Sequence, residues 1–406
     1  MPGTPPEGAP QPSDGRLPAG ALGQLDSAPF GMYVHVPFCA SRCGYCDFNT
    51  YTASELGGGA SRESYAGLAI AEIALARKVV GPAAPAVDTV FFGGGTPTLL
   101  PATDLAAILR AIRAEFGLAE GAEVTTEANP ESLDQRKLDE LLDAGFTRVS
   151  LGMQSAASHV LSVLDRVHSP GRAEQCVAWA RAAGFEHVSL DLIYGTPGES
   201  AKDWELSVGS AISAGPDHIS AYALIVEEGT RLAARIRRGE LPPPDDDEMA
   251  DRYLAADEML SAAGLRWYEV SNWAARPDAA CRHNLLYWTG GNWWGIGPGA
   301  HSHVGGTRWW NVKHPAAYGS RIARGVSPGQ AREVLTEAER RFERILLETR
   351  LATGCPLSLL GPAGQRAAQS AVADGLAERT AFDAGRVVLT KAGRLLADGV
   401  IRGLSD

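Results

Sequence analysis

Residues 187–215 read HVSLDLIYGTPGESAKDWELSVGSAISAG, and this stretch combines the three signals that decide the fold. Residues 187–194 are an apolar, β-rich run typical of a buried strand. Residues 201–214 have the spacing of an amphipathic helix, and Gly215 follows as a C-terminal cap. A strand followed by a helix and a glycine turn is the repeating unit of a parallel sheet.

The same unit recurs along the chain. Five further strands are predicted, at 31–37, 87–92, 123–127, 148–153 and 218–226. Further helices are predicted between them, at 61–80, 102–116, 133–144 and 170–183. Six such units predict an α/β fold with a parallel sheet and outer helices, but their order leaves open a doubly wound sheet or a partial (β/α) barrel. In both folds, ligands bind at the carboxyl ends of the strands.

The composition is that of a soluble globular protein. The chain has 406 residues, 45% apolar and 21% charged, with a net charge of −11. This length predicts two or three domains. The acidic balance argues against nucleic acid as a partner, because phosphate binding favours an excess of basic residues. No apolar run approaches the roughly 20 residues of a membrane span, and no secretory signal is recognisable, so the expected location is the cytoplasm.

Composition shifts predict three regions. Residues 1–28 are rich in Pro, Gly and Ala without periodicity, which indicates a disordered leader. The run LPPPDDD at 241–247 suggests a boundary between a sheet domain at 29–244 and an α+β domain at 245–406. The end of the second domain resembles a winged-helix unit. It has no basic recognition helix, so we expect it to pack against protein rather than DNA.

The clearest functional signal is a cysteine cluster directly after the first predicted strand. Cys39, Cys43 and Cys46 lie in CASRCGYC, with spacings of three and two residues. Three thiolates on one loop indicate a site for zinc or an iron–sulfur cluster. Zinc would need a fourth ligand, for which His35 is the candidate. A [4Fe–4S] cluster would leave one iron open to a small molecule, and this interpretation is favoured because further features agree with it.

Polar residues follow the other predicted strands where each one ends. The run GGGTP at 93–97 allows close approach to a ligand. Glu127, Gln154 and Asp191 lie near the ends of later strands, with Arg166 twelve residues after Gln154. A surface acid or a simple glycine turn is the alternative for each one alone. Their succession at neighbouring strand ends predicts one shared site.

These motifs together resemble the radical S-adenosylmethionine (SAM) proteins related to oxygen-independent coproporphyrinogen III oxidase. The resemblance covers the chain from about residue 31 and includes YVHVPFCASRCGYCDF, FFGGGTPT, TTEANP, LGMQS, LDRVH, DLIYGTPGES and GPGAHS. It implies a partial (β/α)6 radical SAM barrel with a C-terminal domain, and a [4Fe–4S] cluster on Cys39, Cys43 and Cys46. It also implies a set of residues that contact SAM, namely Tyr33, Tyr45, Gly94, Gly95, Thr96, Glu127, Gln154, Arg166 and Asp191.

Two branches of this group, the oxidase (HemN type) and the haem chaperones (HemW type), differ at two places in the sequence. The oxidase branch carries a further Cys two residues after the last cluster ligand, where this chain has Phe48. Residues 283–288 read HNLLYW and resemble the haem-binding motif of the chaperone branch. The resemblance therefore implies that His283 ligates haem iron, with Tyr287 and Trp288 beside it. Flat aromatic rings can stack on a porphyrin, although an aromatic core is the alternative for this Trp-rich stretch.

The sequence-based hypothesis is a haem chaperone that carries a SAM-ligated [4Fe–4S] cluster and hands haem to haem-dependent membrane or respiratory proteins. Two alternatives stay open: coproporphyrinogen oxidation by SAM radical chemistry, which is less favoured, and a zinc-stabilised regulatory protein. The sequence does not decide whether SAM is cleaved, whether the chain forms homodimers, or whether it contacts membrane proteins transiently. His283→Ala is expected to weaken haem binding without loss of the cluster.

Overall fold

The computed structural model describes residues 7–56, 61–82, 84–166 and 169–405. The strands in these ranges are β1 (Ala9–Pro10), β2 (Phe30–Val36), β3 (Val87–Gly94), β4 (Leu118–Ala128), β5 (Arg148–Gln154), β6 (His187–Tyr194), β7 (His218–Ala223), β8 (Arg266–Glu269), β9 (Asn272–Ala274), β10 (Asn292–Ile296), β11 (His301–Val304), β12 (Thr307–Asn311), β13 (Gly329–Val334), β14 (Cys355–Pro356) and β15 (Arg386–Val387). The α-helices are α1 (Ala19–Leu22), α2 (Arg62–Val80), α3 (Ala102–Phe116), α4 (Gln135–Ala144), α5 (Ser158–Val163), α6 (Arg172–Ala183), α7 (Ala201–Ser213), α8 (Arg231–Arg237), α9 (Asp246–Ala262), α10 (Arg282–Trp288), α11 (Pro315–Ala323), α12 (Glu337–Glu348), α13 (Pro362–Ala373), α14 (Arg379–Asp383), α15 (Lys391–Leu395) and α16 (Ala397–Leu404).

The strands β2 to β7 lie side by side in chain order, each parallel to the next. At least one helix follows each of β2 to β6 and leads to the next strand. A doubly wound sheet would reverse its strand order at a switch point, and no reversal occurs among these six strands. The predicted α/β class with six strand–helix units is therefore confirmed, and the winding is that of a barrel.

The two faces of these strands have different chemistry, because successive side chains in a strand point to opposite faces. The outer face is apolar: Val34, Phe92, Val149 and Leu190 are each 0% exposed and belong to the main hydrophobic core. The inner face, called the lumen below, carries polar residues in the alternate positions. This division places the candidate site residues inside the barrel and the helices outside it.

The sheet continues beyond the six strands on both sides. On one side β10 pairs in parallel with β2, and β11, β12, β13 and β1 follow it; on the other side β9 and β8 follow β7. The sheet and the main core therefore run across the boundary predicted at 244/245. LPPPDDD is instead the loop at 241–245 and the first two residues of α9, where the Asp245 side chain accepts a hydrogen bond of 3.0 Å from the Glu248 N–H and caps the helix.

The described part of the predicted leader, residues 7–28, is ordered, which corrects the prediction of disorder. Ala9 and Pro10 pair with β13, and the side chains of Leu17, Ala21 and Leu25 are 3–6% exposed in the main core. A proline is compatible with an edge strand because the missing N–H faces away from the sheet. The segment lacks periodicity, so the few apolar anchors that hold it are not visible as a pattern. Residues 1–6 lie outside the described residues.

A second, smaller core belongs to the C-terminal part of the chain. Its buried members run from Ile345 to Leu404 and come from α12, α13, α16 and the β14–β15 pair with its flanks. The resemblance of this unit to a winged helix stays a prediction. No helix in the described ranges is both long enough and apolar enough to span a bilayer.

Candidate functional site

The three clustered cysteines lie on the loop that follows β2. All three are free thiols, with Cys39 buried and Cys43 and Cys46 half-buried. Burial, together with the negative charges of Cys39 and Cys43, raises the pKa of the Cys46 thiol to about 11. The three sulfurs therefore share one electrostatic environment, in which bound iron or another cation would stabilise the thiolates.

The donor set fits an iron–sulfur cluster better than a zinc ion. Each iron of a [4Fe–4S] cluster takes a single thiolate, so three cysteines serve three irons. His35, the candidate fourth zinc ligand, is buried with both ring nitrogens engaged: Nδ1 lies 3.0 Å from the Tyr33 hydroxyl and Nε2 lies 2.9 Å from the Asn49 carbonyl oxygen. Within the described ranges, no three His, Cys, Asp or Glu side chains converge on the position of a single metal ion.

Arg166 links the cysteine loop to the end of β5. Its Nη1 donates to Cys43 Sγ at 3.4 Å, and its Nη2 donates to the Gly152 carbonyl oxygen at 3.1 Å. A Cβ at position 152 would lie 2.8 Å from Arg166 Nη2, so glycine is needed for this close approach. The guanidinium places a permanent positive charge beside the thiols.

The glycine loop after β3 is held by hydrogen bonds to the chain segments on both sides of it. The Gly94 N–H donates to Glu127 Oε2 at 3.1 Å, and the N–H groups of Gly95 and Thr96 each donate at 2.8 Å to the carbonyls of Val36 and Phe38. These three N–H groups are therefore already used within the protein. The groups of the loop that can still bind a ligand are therefore its carbonyl oxygens, which can accept hydrogen bonds from an ammonium group.

Two carboxylates lie on the lumen side of the sheet, Glu127 near the end of β4 and Asp191 within β6. Burial, together with the negative charge of Asp191, raises the pKa of Glu127 to about 7. Burial also raises the pKa of Asp191, although the hydroxyl of Ser150 donates to both of its oxygens at 3.0 Å. The charge of Asp191 acts on Glu127, and the charge of Arg166 acts on Asp191, so these three side chains lie near one another.

Gln154 and the two tyrosines complete the predicted set. Gln154 ends β5 with φ at 66°, in the left-handed region that a non-glycine residue enters only with strain. Tyr33 lies on the lumen face next to His35, and Tyr45 packs with the apolar cluster that includes Val160 and Leu232. Burial is the main cause of the raised pKa of Tyr45, and the negative charge of Cys43 also raises it. Tyr33 also lies 6.4 Å from the ring of His283, so it stands between the cysteine end of the barrel and α10.

The HNLLYW segment forms helix α10, which enters the opposite end of the lumen. His283 is 1% exposed, and its ring lies at 5.2 Å and 22° to the ring of Phe91. Its Nδ1 lies 2.8 Å from Thr89 Oγ1, and its Nε2 lies 2.8 Å from the Tyr287 hydroxyl. Burial lowers the pKa of His283 to about 3. In this conformation neither ring nitrogen of His283 is free to bind iron.

A buried ion pair, which the sequence-based prediction of site residues does not include, anchors α10. Glu123 and Arg148 are 5% and 1% exposed, and Arg148 Nε donates to Glu123 Oε2 at 3.1 Å. Glu123 also accepts the backbone N–H groups of Arg282 and His283 at 3.1 and 3.0 Å. The sequence does indicate these two residues, because Glu123 and Arg148 are each a charged residue in an otherwise strand-like run. The third member of the motif, Trp288, is half-buried and donates to Glu269 rather than entering the lumen with His283.

Comparisons with known proteins agree with this architecture. The Radical SAM superfamily model matches residues 33–209. A Mycobacterium tuberculosis protein named heme chaperone HemW is 54% identical over 94% of this chain and 96% of its own length. The Escherichia coli protein of that name is 36% identical over 68% of this chain and 70% of its own length. The solved structure of Escherichia coli coproporphyrinogen III oxidase (HemN) superposes with a TM-score of 0.80 over 95% of this chain and 92% of that one; at 21% identity, this similarity concerns the fold.

The fold, the cysteine loop and the sequence similarity over nearly the whole chain support the same family assignment. The radical SAM match begins at the strand before the cysteines and ends in α7, so it contains every residue predicted to contact SAM or the cluster. The similarity to the HemW proteins extends through α10 and the strands that follow it, since it covers 94% of the chain. The chain therefore belongs to the radical SAM superfamily and, within it, to the HemW family.

Proposed function

We propose that this protein is a haem chaperone: it binds haem, carries a [4Fe–4S] cluster with SAM, and delivers haem to haem-dependent proteins, including respiratory ones. The observation that carries the proposal is the 54% identity over 94% of the chain with a protein named heme chaperone. Phe48, at the position of the additional oxidase cysteine, supports the chaperone over the oxidase.

In this proposal, Cys39, Cys43 and Cys46 hold the cluster. When bound, a [4Fe–4S] cluster with SAM on its open iron supplies one-electron chemistry. Arg166 balances the negative charge of the thiolates. The carbonyls of the loop at 93–97 receive the amino group of SAM, and Glu127 and Asp191 receive hydroxyl groups of its ribose. Burial raises the pKa of Glu127 to about 7, so this carboxyl group can hold a proton and donate a hydrogen bond near neutral pH; the pKa of Asp191 is raised as well.

Haem ligation by His283, with Tyr287 and Trp288, remains a prediction from the HNLLYW resemblance. The imidazole would first have to leave Thr89 and Tyr287, each 2.8 Å away. It would also have to leave a stack with Phe91. Direct ligation through His283 therefore requires α10 to move out of the lumen.

The proposal is tested with anaerobically purified and reconstituted protein. Wild type is compared with Cys43→Ala and with Cys176→Ala, whose free thiol lies on α6 near the Pro130 carbonyl. We expect Cys43→Ala to lose most of its iron and acid-labile sulfide, and Cys176→Ala to retain both. Wild type is expected to bind haem in a spectroscopic titration and to pass it to a haem-free cytochrome.

The same preparations separate the alternatives. Formation of protoporphyrinogen from coproporphyrinogen III in the presence of SAM and a reductant would replace the chaperone by the oxidase. Zinc without sulfide in wild-type protein would contradict both radical SAM functions and favour the zinc-stabilised regulatory protein.

A further inference from the structure

A cavity of about 520 Å³ lies where the C-terminal helices α15 and α16 meet the barrel. The barrel contributes Tyr194 and Ala223, which are the last residues of β6 and β7, and α9 contributes Met249 and Tyr253. The opposite wall is formed by residues 394–399, at the junction of α15 and α16. The cavity therefore lies beside the carboxyl ends of the barrel strands, the same end that carries the cysteine loop.

Part of the apolar wall of this cavity is exposed to water. Of the nine large apolar side chains that are exposed in the described ranges, three line the cavity: Val270, Leu395 and Leu396, at 38%, 40% and 56% exposed. A fourth, Ile225 at 66% exposed, follows Ala223 by two residues. Single exposed apolar residues are ordinary on a protein surface, but a group of them at one concave site indicates a binding surface.

The arginines of the cavity are already paired with acids. Arg394 lies 3.1 Å from Asp257, and its guanidinium also lies over the Trp267 ring. Arg350 pairs with Asp398. An anionic ligand would have to compete with these carboxylates, so the cavity does not favour one.

The side of the cavity formed by the start of α9 is acidic. Asp245 caps this helix, Asp246 and Asp247 begin it, and all three side chains are exposed. Asp246 lines the cavity itself. None of the three forms an ion pair with a described residue, and the only basic residue of α9, Arg252, is buried 3.4 Å from Glu199. These three aspartates, called the acidic side below, would therefore attract a positively charged partner.

We infer that this cavity is the docking surface for a basic, amphipathic segment of a haem-acceptor protein. The apolar side chains of the segment would contact Val270, Leu395 and Leu396, and its Lys or Arg side chains would lie against the acidic side. Segments of this kind flank membrane-spanning helices, where Lys and Arg accumulate next to apolar residues. An anionic lipid surface, in contrast, would be repelled by the same aspartates. This inference rests on the proposed haem-chaperone function and specifies which part of an acceptor is recognised.

The test measures the binding of synthetic peptides to reconstituted, haem-free protein by isothermal titration calorimetry. The probe is an amphipathic helical peptide of leucine and lysine, about 15 residues long, and its matched control carries glutamate in place of lysine. We expect the lysine peptide to bind, and to bind more weakly as the salt concentration is raised, because its charges attract the acidic side. The glutamate peptide is expected to bind at least about tenfold more weakly.

Two substitutions of the docking surface are compared with matched controls, and circular dichroism checks that every variant is folded. Leu396→Ser should weaken binding of the lysine peptide about tenfold, because it removes an apolar contact. Its control is Leu206→Ser on α7, where the leucine is 57% exposed against 56% for Leu396. Asp246→Asn combined with Asp247→Asn should weaken binding several-fold and reduce its salt dependence. Asp139→Asn, which changes an exposed acid on α4, should alter neither.

Each alternative occupant gives a different result. Equal binding of the two peptides, or unchanged affinity in Leu396→Ser, overturns the inference. Binding to vesicles of anionic phospholipid that Leu396→Ser abolishes would assign the surface to a membrane, and a dimer that this variant abolishes would assign it to a second copy of the chain; both results also overturn the inference.

A haem titration of the same wild-type preparation separates this inference from the proposed function. Haem binding without peptide binding overturns the docking surface alone. Peptide binding without haem binding overturns the proposed function, and with it the identification of the partner as a haem acceptor.

Discussion

At the residue scale, the most consequential feature is the buried pair of Glu123 and Arg148. Taking two charges out of water is costly, and their attraction compensates for this cost only if both partners are present. The pair is more than a stabilising contact, because Glu123 also receives two N–H groups of α10 and Arg148 donates to the carbonyls of Ala279 and Ala280. One ion pair therefore determines whether α10 closes its end of the barrel.

Arg148→Ala should destabilise the fold by about 3–5 kcal/mol, because it leaves the Glu123 carboxylate buried without its partner. The measurement is the free energy of unfolding in urea. Arg136→Ala is the control: it removes the i,i+4 partner of Glu140, and the Arg136 side chain is 86% exposed. The control should leave the free energy of unfolding nearly unchanged, because water screens an exposed ion pair. Equal losses in the two variants would show that the buried pair does not hold this end of the barrel.

At the element scale, the cysteine loop is attached to a distant part of the chain through Asn49, which follows Cys46 by three residues. The Asn49 side chain donates to the carbonyls of Pro298 and Lys313 at 2.9 and 2.8 Å. A Cβ at position 299 would lie 2.4 Å from Asn49 Nδ2, so the GPGAHS turn fits around this side chain. These two hydrogen bonds therefore connect the cysteine loop to the turn that leads into β11.

We expect Asn49→Ala to bind iron and sulfide during reconstitution but to lose both to a chelator several times faster than wild type. The substitution removes the side-chain donor of the Pro298 carbonyl and one of the two donors of the Lys313 carbonyl, which also accepts from the Tyr51 hydroxyl at 3.3 Å, and so loosens the loop. Iron released per chain is measured against time. Asn284→Ala, which removes a half-buried amide on α10, serves as the control. Identical release from Asn49→Ala and wild type would contradict a clamping role for Asn49.

The elements also show what the sequence could and could not predict. The six parallel strands are recognisable because each is a compact apolar run, and the glycines after α3, α4 and α6 end those helices as predicted. The continuation of the sheet through β10 to β13 is not recognisable, because its pairing with β2 joins residues more than 250 positions apart. For the same reason, the motif HNLLYW gives no sign that His283 faces into the lumen.

At the scale of the whole molecule, two hydrophobic cores are joined by few strong contacts. Asp257 on α9, in the main core, is 3% exposed and pairs with Lys391 at 2.7 Å and Arg394 at 3.1 Å, both from α15. Arg394 also lies over the Trp267 ring, with its guanidinium carbon 3.8 Å from the ring centroid. These charges attach the C-terminal unit to the rest of the protein.

Asp257→Asn should weaken the contact between the C-terminal unit and the rest of the protein, because it removes the negative charge that pairs with Lys391 and Arg394. The asparagine keeps an oxygen that can accept the Trp273 indole N–H, which in the wild type lies 3.0 Å from Asp257 Oδ1. We expect amide hydrogen exchange in residues 391–404 to become about tenfold faster, with β2 to β7 unchanged. The comparison variant is Asp398→Asn, which removes the partner of Arg350 but has an 83% exposed side chain. Faster exchange throughout both cores, or no change in either, would contradict this role of Asp257.

The position of β10 beside β2 also fixes an order of events during synthesis. The first barrel strand leaves the ribosome early, but its parallel neighbour at residues 292–296 is translated only after roughly two-thirds of the message has been read. Until then, one edge of β2 lacks its partner, and Asn49 lacks the carbonyls of Pro298 and Lys313. The cysteine loop thus reaches the environment described above only late in translation, once Pro298 and Lys313 have been added to the chain.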